Sequence, residues 1–170
     1  MGGHVFDTCV VLDLRAAGVL HVAAHNLSRP AVGYLAAHEG NELAAYRDEL
    51  VRYGVRVCTL PGAGTLRIPA IRSARPALSA FDIEAALVAE TRRAVLLTSE
   101  RPLRKLAADL GIAVHGSLWV IRTLVEQGFI DPPAGLVALS ALCDANPRLP
   151  QAECVRLGRD LERRASRASG

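Results

Sequence analysis

The stretch AVLLTSERPLRKLAADLGIAVHGSLWVIRTLVEQG, residues 94–128, decides the fold. Ala94 to Thr98 is a short apolar run of strand type, and Glu100 to Leu110 repeats apolar residues at helical spacing before Gly111. Ile112 to His115 is a second short strand, and Ser117 to Gln127 a second helix, stopped by Gly128. Short strands alternating with longer helices are joined by crossovers and build a parallel sheet.

The same grammar extends outward. Ser79 to Arg92 reads as a helix, and Val55 to Leu60 as a strand; Pro61 to Ala77, rich in Gly, Pro and Arg, predicts an exposed loop. His4 to Val11 is continuously apolar apart from Asp7 and Thr8, which suits a strand buried on both faces. Leu12 to His25 has an Ala/Leu pattern of helical type, broken by Asn26-Leu27-Ser28-Arg29-Pro30. A long helix is expected after Pro30, carrying Glu42, Leu43, Tyr46, Leu50 and Tyr53 and ending at Gly54. Beyond Asp131-Pro132-Pro133, Ala134 to Asp144 and Gln151 to about Arg164 form two more helices, and the last residues should fray. The expected architecture is three-layer α/β/α, with a central, mainly parallel sheet of four or five strands in residues 1–130. Residues 131–170 are expected to be a helical extension packed on that domain.

Composition narrows the class. Of 170 residues 51% are apolar and 22% charged, with a net charge of +3, which excludes a disordered chain. No apolar run approaches the roughly 20 residues of a membrane span, and MGGHVFDTCVVLDL lacks the basic start of a secretory signal. The expectation is a soluble cytoplasmic protein with no membrane partner. Among 20 basic residues only Lys105 is lysine, and arginine is the better fork for phosphate. Cys9, Cys58, Cys143 and Cys154 show neither zinc-finger nor CxxC spacing, so buried thiols in a reducing compartment are expected.

Three acids stand where the chain passes from a strand to a helix: Asp7, Asp82 and Glu100. Each alone has a structural explanation. Asp7 can bond the turn after its strand, Asp82 can close a capping box with Ser79, and Glu100 follows the cap candidate Ser99. Together they lie at the edge where open α/β sheets place their sites. Two carboxylates about 4 Å apart repel by roughly 4 kcal/mol at an effective dielectric near 20, so such a cluster calls for a cation. Oxygen ligands select Mg²⁺ or Mn²⁺ over zinc, and the chemistry such an ion supplies is hydrolysis of a phosphodiester.

The run Val5-Phe6-Asp7-Thr8-Cys9-Val10-Val11-Leu12 resembles the opening of PIN domains, as Leu78-Ser79-Ala80-Phe81-Asp82-Ile83-Glu84 resembles their central helix. Leu96-Leu97-Thr98-Ser99-Glu100-Arg101-Pro102 is similar to the strand and turn bearing the family's fourth acid, and Gly111 to Trp119 to the last strand and helix of a prokaryotic, VapC-like toxin subgroup. The resemblance, covering about residues 3–130, implies a metal-dependent endoribonuclease, the toxin of a toxin–antitoxin pair, acting on RNA with Mg²⁺ or Mn²⁺. It implies Asp7, Asp82 and Glu100 as metal ligands and Thr8 and Ser99 as supporting hydroxyls. The second acid is Glu39 as first choice and Glu42 as second; the fourth, usually Asp, is here Glu100. The alternative is a PIN-like module that binds RNA or protein without cleaving.

Arg101, Arg104 and Lys105 begin the helix after Glu100 and are candidates to hold an RNA backbone. The arginines of the last helix read as a solvated face, with a homodimer contact or a lid that clamps RNA as the other readings. His38 and His115 read as structural or surface residues, and His21 and His25 lack a third metal ligand. There is no GxxxxGKS loop, which excludes a standard P-loop site.

Overall fold

A computed structural model describes residues 2–39 and 42–168. In chain order these form β1 (His4–Phe6), α1 (Thr8–Ala16), α2 (Leu20–Asn26), β2 (Ala31–Gly33), α3 (Tyr34–His38) and a 3₁₀ turn (Glu42–Tyr46). Next come α4 (Arg47–Arg52), β3 (Arg56–Cys58), α5 (Gly62–Thr65), α6 (Arg67–Ala74), α7 (Ala80–Arg92) and β4 (Val95–Leu97). The chain closes with α8 (Arg101–Asp109), β5 (Val114–His115), α9 (Ser117–Glu126), α10 (Pro132–Ala145) and α11 (Gln151–Ala168).

The five strands pair in the order β3-β2-β1-β4-β5, and every pairing is parallel. Val5 stands opposite both Ala31 and Leu96, so β1 is the central strand. The order runs outward from β1 in both directions, which makes β1 and β4 the switch point of the sheet. Side chains alternate across it. Phe6, Val32 and Leu97 enter one core with α1, α2, α9, α10 and α11, whereas Val5, Ala31 and Leu96 enter a second with α7 and α8. Helices on both faces explain why these strands are apolar throughout.

Several expectations are corrected. The first strand stops at Phe6, because Asp7 caps a helix that begins at Thr8; Val10 and Val11 are buried from α1. The helix expected over Leu12 to His25 is two helices, divided at Gly18, whose φ of +72° favours glycine. The long helix after Pro30 does not form. Ala31–Gly33 is instead a buried inner strand, followed by short helical pieces. Pro61 to Ala77 is also no loop: it holds α5 and α6, and Pro69 is accommodated in the first turn of α6. From Ser79 to Ala145 the boundaries fall within a residue or two of those expected, and the Ser79–Asp82 capping box is present; the last helix runs to Ala168, four residues beyond the expected Arg164. The expected fraying falls partly on residues 169–170, which lie outside the described residues.

The two C-terminal helices join the first core through Ala138, Leu139 and Leu142 of α10 and Cys154, Leu157 and Leu161 of α11. Buried Asp13 of α1 ties the end of α10 to the start of α9: its carboxylate accepts from Ser117 Oγ at 2.5 Å and from Asn146 Nδ2 at 3.0 Å. No helix among the described residues is long and apolar enough to cross a membrane.

Glu84 supplies a second buried tie. From the middle of α7 it reaches the start of α3, where both its oxygens accept from the Leu35 N–H at 3.1 and 2.9 Å. Burial pushes its carboxyl above the ordinary value, against the pull of the backbone N–H groups of residues 34–36. The chain can approach this carboxylate only without a side chain at Gly33, where a Cβ would stand 2.1 Å from Glu84 Oε2. Gly33→Ala should therefore destabilise the fold by about 1–3 kcal/mol, the scale of an overpacked core. Urea unfolding measures this; an unchanged midpoint would contradict it.

Candidate functional site

At the carboxyl edge of the sheet a cleft of about 1130 Å³ opens beside the switch point. Asp7, Asp82 and Glu100 all line it. The sheet topology brings them together: Asp7 follows β1, Glu100 follows the adjacent β4, and Asp82 opens α7, which packs on both strands.

Asp7 is the most constrained. The residue is only 4% exposed; Oδ1 accepts from the Thr8 N–H at 2.8 Å, and Oδ2 from Thr98 Oγ1 at 2.8 Å and Cys9 Sγ at 3.1 Å. Burial raises its affinity for a proton; the Cys9 and Thr98 hydrogen bonds oppose this, and the charge of Asp82 adds to it. Burial and the neighbouring Asp7 also push the Cys9 thiol well above its usual value, so it keeps its proton and donates.

Asp82 is half-buried and spends Oδ2 on the Ser79 N–H at 2.8 Å, while Ser79 Oγ accepts from the Asp82 N–H at 3.1 Å. Glu100 stands at the N-cap of α8 without capping it through its side chain, and its N–H donates to Thr98 Oγ1 at 3.1 Å. Among the described residues, Asp7, Asp82 and Glu100 form no ion pair with any arginine, lysine or histidine.

The candidates for the second acid separate. Glu42 lines the cleft, whereas Glu39 does not. Glu39 is the exposed residue at which α3 ends, and Glu42 begins the 3₁₀ turn beyond it. Thr8 and Ser99 line the cleft, but the hydroxyl on Asp7 is that of Thr98; Thr8 meets the acid through its backbone. Arg101 and Arg104 also line the cleft, and Lys105 is exposed outside it.

The donor set is oxygen, which suits a hard divalent cation. Among the described residues, however, no three of His, Cys, Asp or Glu already converge as a metal-holding group. The fit is one of donor chemistry and of uncompensated negative charge, not of an assembled shell.

Sequence reasoning assigned no role at the site or in its support to Thr98, Cys9, Asp13 or Glu84. Asp13 and Glu84 did carry a signal, since each interrupts an apolar run, in VVLDL and in FDIEAAL.

A family model described as a PIN domain matches residues 4–163. No curated protein and no solved structure matches the chain.

The raised pKa of Asp7 has a signed consequence for stability. The native state holds the Asp7 proton more tightly than the unfolded chain, so this group's contribution to stability falls as pH rises from the ordinary aspartate value through the raised one. In EDTA, the unfolding free energy of the wild type minus that of Asp7→Asn should grow as pH is lowered from 7 toward 4. Urea titrations across that range measure it, and a difference independent of pH would refute the assignment.

Proposed function

Since the chain belongs to the PIN-domain family, a family of generally metal-dependent nucleases, we propose that it is an endoribonuclease that hydrolyses RNA phosphodiester bonds at this cleft. One observation carries the reading: Asp7, Asp82, Glu100 and Glu42 line a single cleft, and among the described residues no cationic side chain pairs with the first three. These four are the residues proposed to hold Mg²⁺ or Mn²⁺. The ion supplies Lewis-acid polarisation of the phosphoryl group and a more acidic water.

The chain's own residues do the rest. Thr98 and Cys9 fix the Asp7 carboxylate in one orientation, and Ser79 does the same for Asp82. That leaves the other oxygen of Asp82 without a capping partner. Arg101 and Arg104 offer positive charge beside Glu100 for the RNA backbone. The cytoplasmic toxin role, with a small antitoxin as partner, rests on the family resemblance. Its test is co-purification with the product of a neighbouring reading frame. A homodimer is the proposal for the exposed arginine face of α11.

One observation favours a second reading, a PIN scaffold that holds RNA without cutting it: the acids do not converge into a ready cation group.

Cleavage of a single-stranded RNA with Mn²⁺ decides between them. Asp7→Asn and Glu42→Gln should each lose about 100-fold or more in rate, the scale on which positioned acid–base groups act. Glu39→Gln should stay near wild type. Equal cleavage by wild type and Asp7→Asn would end the nuclease reading. The absence of any Mn²⁺ binding at millimolar concentration would favour the second.

A further inference from the structure

Trp119, the chain's one tryptophan, is half-buried on the cleft wall in the first turn of α9. His115, at the carboxyl end of β5, lines the same wall and stacks on it with ring centroids 4.1 Å apart and planes inclined by 5°. The pair is braced. The His4 ring approaches Trp119 at 5.9 Å and is itself fixed by a contact of 3.2 Å between its Nδ1 and the Ser28 carbonyl oxygen.

The stack is also in register with the acids. The His115 carbonyl accepts from the Thr98 N–H at 2.8 Å, and the Thr98 hydroxyl donates to Asp7 Oδ2. Arg122, at i+3 from Trp119, lines the cleft and forms no ion pair among the described residues. Two rings already parallel, half-open to a polar cleft and followed by an unpaired guanidinium, match the alternation of flat base and phosphate in a nucleic-acid strand.

We propose that His115, backed by Trp119, is a stacking platform for one unpaired base of a single-stranded RNA, with Arg122 taking a neighbouring phosphodiester. This rests on the ribonuclease reading of the cleft and adds to it a subsite that holds a base. A base inside a duplex is covered on both faces, so the platform selects single strands. Every base offers a π-face, so it selects them without regard to sequence.

Binding of a labelled single-stranded RNA oligomer, followed by fluorescence anisotropy in EDTA, reads the platform without cleavage. His115→Ala should weaken binding about 5- to 150-fold, the range of one base stack, and His115→Phe should restore it. In a set of oligomers each abasic at one position, one member should bind the wild type and His115→Ala equally. Arg122→Ala should weaken all of them. Trp119 emission should change with the single strand and not with a duplex of the same sequence. Unchanged affinity in His115→Ala, or an equal loss on every abasic oligomer, overturns the platform. If that happens while cleavage still depends on Asp7, the nuclease reading stands alone; a wild type that neither binds RNA in EDTA nor cleaves it with Mn²⁺ removes both.

Discussion

A carboxylate buried at the end of the central strand is the constraint from which the rest of the site follows. Asp7 has almost no access to water, and a buried polar group left unpaired costs about 1–3 kcal/mol, more when charged. Three donors meet that demand: the Thr8 N–H, the Cys9 thiol and the Thr98 hydroxyl. Thr98 stands at the end of the neighbouring strand, so satisfying Asp7 also fixes how the β1 and β4 edges meet. The same threonine accepts the N–H of Glu100, which sets where that acid starts its helix. One hydroxyl therefore registers two of the acids. Since all its donors are neutral, none of them cancels the charge that Asp7 carries when ionised, and a bound cation would offset both that charge and the cost of its burial.

How much of the fold could be read depended on how local its determinants were. From Ser79 to Gly128 each helix carries its own start and stop, and the strands between are short and uniformly apolar. The N-terminal half lacks that punctuation. Ala31-Val32-Gly33 contains one β-branched residue, yet it is an inner strand because β1 and β3 pair on either side of it. What makes it a strand is tertiary, and no window of sequence contains it. Gly33 belongs to the same class of determinant: its meaning lies in a carboxylate 51 positions later in the chain, Glu84, which leaves no room for a Cβ.

The site divides along the same line. Asp7, Asp82 and Glu100 could be found because strand-to-helix junctions can be located in sequence, and in this topology those junctions share an edge. The choice between Glu39 and Glu42 could not be made that way. It turns on where α3 stops, and the expectation of one long helix removed that end from view. With α3 closing at His38, Glu39 terminates a helix, whereas Glu42 opens the next turn at the cleft. Thr98 escaped notice for another reason. The hydroxyls adjacent to the acids in sequence are those of Thr8 and Ser99, while the hydroxyl that reaches Asp7 comes from the adjacent strand, 91 residues away.

The C-terminal helices bear on the cleft as well as on stability. α10 and α11 bury leucines in the core shared with α1 and α9, and Asn146, at the end of α10, donates to Asp13. The turn that follows carries Arg148, Leu149 and Pro150 onto the cleft wall, and α11 adds Arg156. Asp13 lies six residues beyond Asp7 on the helix that Asp7 caps, so the bond from Asn146 anchors this wall to the acidic edge itself. It also accounts for an acid inside an otherwise apolar run. Without partners, burying Asp13 would destabilise α1; with Ser117 and Asn146 it joins the first helix, the ninth and the tenth at one point. This part of the cleft lining is thus fixed and bears Arg148 and Arg156, so the cleft carries arginines as well as carboxylates. On the proposed function, a phosphodiester strand in this cleft would have guanidinium groups to hold its charge and carboxylates to recruit an ion.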